Sequence, residues 1–150
     1  MSETPSPFKL WFEYDHYANS KVLAIIESNV GGLPDDTLKL FSHIIAAHEI
    51  WNTRITNTPR KLKVWDRIPI SEMTGWLSQN LENTISIVQK MEDSGIVEYE
   101  NTSGARFSNN IPDIMFHILT HSHYHRGQIA RNMRENNIEP AETNYIGYRR

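Results

Sequence analysis

Residues Asn110 to Asn137 read NIPDIMFHILTHSHYHRGQIARNMRENN, and this stretch decides the fold. Ile111, Ile114, Ile118, His121, His125, Ile129 and Met133 recur at steps of three and four, the period of a helix with one face turned to a core. Asn110 before Ile111-Pro112 is a capping residue followed by an early proline, a favoured helix start. Two imidazoles therefore lie in an apolar stripe. At 100° per residue, positions four apart point within about 40° of each other, so His121 and His125 can reach one common point. Imidazoles withdrawn from water need partners. A metal ion is one such partner and a neighbouring polar group is another.

Working outward, the same period marks three more helices. From Phe8 to about Asn29 it is carried by Trp11, Tyr14, Ala18, Val22 and Ile25 and ends before Gly31-Gly32-Leu33-Pro34, a Gly-Pro stop. A second segment opens at Asp35-Asp36, residues suited to a helix start, and runs through Leu40, Ile44, Ala47 and Trp51 to about Thr56. It is apolar nearly all round between Leu38 and Trp51, so it should be buried on several sides. Residues 57–69, with two prolines and four basic residues, read as a connecting loop. A third helix starts at Ser71-Glu72 and is carried by Trp76, Leu81, Ile85, Val88 and Met91 to Gly95. Ile96 to Phe107, around Thr102-Ser103-Gly104, is expected to be a short hairpin that serves as a connection rather than a sheet. The tail from Ile138 to Arg150 is expected to be loosely attached. Four helices of roughly 20 to 27 residues predict an all-α four-helix bundle, whose sites are commonly built in the core from facing helices. At 150 residues, one domain over 1–150 is expected.

Hydrophobic residues at 39% and charged residues at 22% describe a folded, soluble chain. A net charge of -3 with scattered Lys and Arg offers no field for a phosphate backbone, which argues against nucleic acid. No run approaches the ~18 apolar residues of a membrane span, and the start of the chain is polar, so a cytoplasmic protein is expected. The absence of cysteine removes disulfides, thiolate-bound zinc and cysteine nucleophiles together. Any metal must use histidine and carboxylate. The seven histidines are spread along the chain rather than clustered as a tag.

A third ligand would have to come from another helix. The second helix offers His43 and His48, about 140° apart around the axis, so the two cannot face the same centre. Periodicity does not choose between them, because that helix is apolar around most of its circumference.

The segment His43 to Arg54, HIIAAHEIWNTR, resembles the second helix of the DinB/YfiT family of metalloenzymes, with a His eight residues before Trp51 and eleven before Arg54. His117 to Ile129, HILTHSHYHRGQI, is similar to that family's most specific stretch, which ends in His-Arg-Gly-Gln. Weaker agreement is seen from Glu13-Tyr14 to Asn19, in Gly104-Ala105-Arg106-Phe107 and from Pro140 to Tyr148. The resemblance implies an antiparallel four-helix bundle with a divalent metal ion held by His43, His121 and His125. It also implies a reaction in which a low-molecular-weight thiol is joined to an electrophilic small molecule, and a homodimer. Imidazole ligation suits zinc, nickel, copper or iron. Zinc or nickel is the expectation, with iron or manganese as alternatives.

Other motifs fall away. His48-Glu49-Ile50-Trp51-Asn52 has Asn where the zinc-protease pattern needs a second His. Glu13-Tyr14-Asp15-His16 has one half of a di-iron pattern, and the other half is absent. His117, one turn before His121, is expected beside the site or in the packing, His123 in solvent, and His16 and His48 in structural roles. Arg126 could meet an anionic substrate or form a buried ion pair. Gly127 should let its helix approach a neighbour, and Gln128 should hydrogen-bond across the bundle. Three neutral imidazoles leave a divalent ion with its full charge and an open position, the condition for activating a thiol or a water. The alternatives to thiol transfer are a metal-dependent hydrolase and a non-catalytic metal-binding stress-response protein. No catalytic residue or general base is assigned, since no carboxylate has a spacing that obliges it to sit by the ion.

Overall fold

The computed structural model describes residues 6–91 and 95–150. Its elements are α1 (Phe8–Ser28), α2 (Asp35–Thr56), α3 (Ile70–Lys90), β1 (Ile96–Glu100), β2 (Arg106–Asn110), α4 (Ile111–Glu135) and α5 (Tyr145–Tyr148). The chain is mostly helical with a small two-stranded sheet. Helix starts follow the local chemistry. Asp35 and Asp36 sit in the first turn of α2 and Arg54 in its last, both favourable to the helix dipole. The Asn110 side chain accepts a hydrogen bond from the Asp113 amide at 2.8 Å, capping α4. The third helix ends earlier than its apolar period suggests, at Lys90, and the rest of that expectation reaches residues 92–94, outside the described residues.

The short hairpin expected after α3 is present, paired as a two-stranded antiparallel sheet rather than a bare connection, with Ile96 opposite Asn110 and Glu100 opposite Arg106. Its turn is closed by Gly104 at φ 85°, a backbone region that favours glycine, and by the Asn101 side chain, which accepts from the amides of Ser103 and Ala105. The tail is tied down rather than loose. Ile138 and Ala141 pack on the core, the Tyr14 hydroxyl donates to the Thr143 carbonyl, and Tyr145 and Tyr148 lie against the Tyr14 ring.

Helix α2 packs against both α3 and α4, and α1 packs against the same two. The apolar interior falls into two clusters. One joins Val22, Leu23 and Ile26 of α1 to Phe41 and Ile45 of α2, Met73 and Leu77 of α3, and Ile129 and Met133 of α4. The other joins Phe12, Ile87, Val97, Ile114, Met115 and Ile118 at the hairpin end. Full burial of a side chain such as Phe41 contributes about 1.5–3 kcal/mol. Between the clusters lies a belt of buried polar groups. On its α1–α4 side Arg126 donates to Asp15 at 2.6 Å, Asn19 at 3.0 Å and Ser122 at 2.8 Å. On its α2–α3 side Asn52, Asn80 and Thr84 hydrogen-bond to one another and to backbone carbonyls.

Arg126 and Asp15 are each about 5% exposed or less at the side chain, so the stability of the pair depends on both members being present. Asp15→Ala is expected to cost about 3–5 kcal/mol in urea unfolding, because it strands a buried guanidinium, whereas the double change Asp15→Leu with Arg126→Met recovers most of that loss. Simple additivity of the two single changes would show that the pair is not coupled.

Candidate metal centre

His43 of α2 and His121 and His125 of α4 come together in the groove between those helices. Each offers one ring nitrogen, and these atoms all lie within 4.8 Å of one another. His43 Nε2 is 3.0 Å from His121 Nε2, and the His125 ring centroid is 4.9 Å from that of His43 and 4.5 Å from that of His121. His43 is buried and the other two are partly buried, so the cluster is sheltered but reachable.

The outer nitrogens of His43 and His125 are already engaged. His43 Nδ1 lies 2.9 Å from the Val64 carbonyl, which can only accept, so the ring carries its proton on Nδ1 and leaves the Nε2 lone pair free. His125 Nδ1 lies 2.7 Å from Gln128 Oε1, which fixes the same tautomer. Partners of this kind orient imidazoles for coordination. Gln128 does this within its own helix, three residues on from His125, rather than by bonding across the bundle.

The loop between α2 and α3 supplies the other support. The Lys61 amide donates to Glu49 Oε1 at 2.7 Å and the Ile68 amide to Ser42 Oγ at 3.2 Å, while Leu62 and Ile68 are buried in the core. Thus anchored, the loop presents the Val64 carbonyl to His43 and stacks Trp65 on its ring, with centroids 3.8 Å apart and planes at 11°. Val64 and Trp65 were not foreseen. A backbone carbonyl and an aperiodic loop residue carry no local pattern, whereas the i, i+3 spacing of Gln128 from His125 is a signal that sequence could have offered.

Burial governs the protonation of His43 and His121. Desolvation, opposed by the Val64 hydrogen bond and reinforced by the His125 charge, holds the His43 imidazole below its ordinary value. Desolvation, with the His125, His43 and His117 charges adding to it, pushes His121 down to about 3. Neutral imidazoles are the metal-binding form. Three imidazole donors at this separation, with the far nitrogens of His43 and His125 hydrogen-bonded and no carboxylate in the group, fit a divalent ion of the imidazole-binding kind. The cluster could therefore hold a metal ion.

The remaining candidates separate cleanly. His48, the other choice on α2, donates from Nε2 to Thr84 Oγ1 at 2.7 Å, and that hydroxyl donates on to Asn52 Oδ1 at 3.1 Å. It also packs on Phe12. His117 is exposed beside Trp51 and one turn from His121, and His123 is exposed. Arg126 is committed to its buried ion pair. Gly127 makes no close approach: a Cβ added there would meet nothing within 4 Å, so the expectation of a tight helix contact is withdrawn.

A mostly helical chain with an imidazole cluster in the groove between two of its helices defines a candidate metal-binding protein of the helical type. The family model described as the DinB family matches residues 35–150, from the start of α2 to the end of the chain. The chain belongs to the DinB family. All three clustered histidines lie in the matched region, while α1 lies outside it. No curated protein matches the chain. Among the described residues no helix is long and apolar enough to cross a membrane.

His48 yields a pH prediction. Desolvation, partly offset by the Asp15 charge, pushes it down to about 4 in the folded protein, against an ordinary value of 6.5. Between those values the unfolded chain takes up a proton that the folded chain refuses, so the contribution of neutral His48 to stability is complete above about pH 6.5 and is lost as the pH falls towards 4. Urea unfolding at about pH 7 and pH 4.5 should show His48→Gln losing about 2 kcal/mol less than the parent protein. Equal losses would show that His48 does not titrate in this range.

Proposed function

We propose that the protein is a metal-dependent enzyme that joins a low-molecular-weight thiol to an electrophilic small molecule, with His43, His121 and His125 as the ligands of one divalent ion, zinc or nickel. The reading includes a single domain over 1–150 built as an antiparallel four-helix bundle. The observation that carries it is the convergence of three imidazole nitrogens within 4.8 Å in a groove open to solvent, without a carboxylate to close the set. Membership of the DinB family supports it.

A divalent ion bound there supplies Lewis acidity that favours the deprotonated form of a thiol at neutral pH. The chain's own groups do the rest. Val64 and Gln128 hold two of the rings in the tautomer that turns Nε2 inward. Trp65, about half exposed, covers one face of His43 and limits the approach of water from that side. The lack of cysteine in the chain means that the thiol would come as a cosubstrate.

Elemental analysis of untagged protein should find about one ion per chain, lost in His43→Ala, His121→Ala and His125→Ala and kept in His48→Gln. Because burial holds His43 and His121 below the ordinary histidine value, the metal should be retained at about pH 6 and released as protonation removes the lone pairs at lower pH. Consumption of an aryl halide or epoxide should require both the metal and an added thiol. Turnover of an ester without thiol, and none of an electrophile with it, would replace the transferase reading with a hydrolase.

A further inference from the structure

Arg54 closes the last turn of α2, eleven residues beyond His43. That spacing puts it about 20° from His43 around the helix and roughly 16 Å further along it, on the same side of α2. The intervening wall is continuous. His117 lies 5.8 Å from His121, Trp51 lies 5.3 Å from His117, and the Arg54 guanidinium lies 4.4 Å above the Trp51 ring and 4.9 Å from the Tyr99 ring. Those two rings pack edge to face on each other, with centroids 5.0 Å apart and planes at 75°, and the guanidinium rests against both, which restricts its movement and leaves nitrogens free to hydrogen-bond.

Among the described residues one edge contact is made, a 3.3 Å bond from an Arg54 terminal nitrogen to the Glu100 carbonyl. Among the described residues no carboxylate stands within ion-pair distance of Arg54. Glu98 and Glu100 border the same cleft, but Glu98 is exposed and Glu100 is engaged by Arg106 at 3.1 Å. A guanidinium has five donors in a fixed fork that matches a carboxylate. Here the fork is partly buried, held in orientation and without an acidic partner, at the far end of an aromatic wall that begins at the imidazole cluster.

We propose that Arg54 is a specificity-determining residue that receives a carboxylate on the substrate, so that the substrates are small acidic molecules whose reacting end lies at the histidine cluster and whose anionic end lies on Arg54. The assignment rests on the reading of the cluster as a metal site. Anchoring of the hairpin through Glu100 is a separate, structural duty of the same side chain, and Arg54→Gln distinguishes the two, since glutamine can still donate to that carbonyl but carries no charge.

The test uses the full chain loaded with zinc and calorimetric titration with linear α,ω-dicarboxylates of about four to about twelve carbons, beside ω-hydroxycarboxylates of the same lengths. One carboxylate of either probe can occupy the metal, and only the diacid has a second. Preference should peak where the chain length matches the span. At that length the diacid is expected to bind about tenfold more tightly than the hydroxy acid, the effect of one charge-assisted contact. In Arg54→Gln the ratio should fall to about two, the statistical advantage of two equivalent carboxylates, with zinc content unchanged, and Arg54→Lys should restore part of it. A diacid preference missing at every length, or intact in Arg54→Gln, overturns the assignment while leaving the metal reading in place. A wild-type chain that takes up neither zinc nor nickel overturns both.

Discussion

Helix α2 is buried on several sides while carrying Thr37, Ser42, His43, Glu49 and Asn52 among its buried residues, and the need to satisfy those polar groups determines what packs around it. A buried donor or acceptor left without a partner costs about 1–3 kcal/mol. Thr37 receives Asn132 of α4, Ser42 and Glu49 receive loop amides, and Asn52 meets Asn80 and Thr84 of α3. Each bond fixes a neighbour in register along the helix. The site is a consequence of that registration, because His43 reaches α4 on one side only when α3 has taken His48 on another.

The loop between α2 and α3 shows how a segment without secondary structure becomes part of a site. Two apolar anchors, Leu62 and Ile68, and two amide contacts to α2 side chains fix its path. Val64 and Trp65 then have little freedom to leave His43. Glu49 matters here although it points away from the imidazole cluster, since its carboxylate holds the loop that holds the ring. The polar belt across the interior has a matching role, keeping α1 against α4 through Arg126 and α2 against α3 through the Asn52, Asn80 and Thr84 contacts.

Chemically, the groove combines imidazoles with the Arg54 guanidinium, which has no acidic partner among the described residues, and with aromatic faces between them. Such a surface suits a ligand with an electron-rich end at the cluster, an apolar middle and an acidic terminus. The wall owes its continuity to the packing of α2 against α4, where His43 and Trp51 from one helix meet His117, His121 and His125 from the other, and to Arg54, which rests on Trp51.

What the sequence by itself determined is what is local. Helical period and capping residues gave the four long helices to within a few residues, apart from the end of the third, because backbone hydrogen bonding and one-sided burial act over three or four positions. The His121 and His125 pair was legible for the same reason. Its choice of partner was not legible from period, since α2 is apolar on nearly every face and His43 and His48 are equivalent in pattern, and it took the likeness of a longer segment to prefer His43. Only the tertiary structure decided that Thr84 stands over His48, that Val64 and Trp65 enclose His43, that Gly127 touches nothing, that Arg126 is spent on Asp15 and that the tail is docked by Tyr14. These are contacts between residues far apart in the chain, set by which faces the helices bury against one another, and no spacing along a single strand of sequence encodes them.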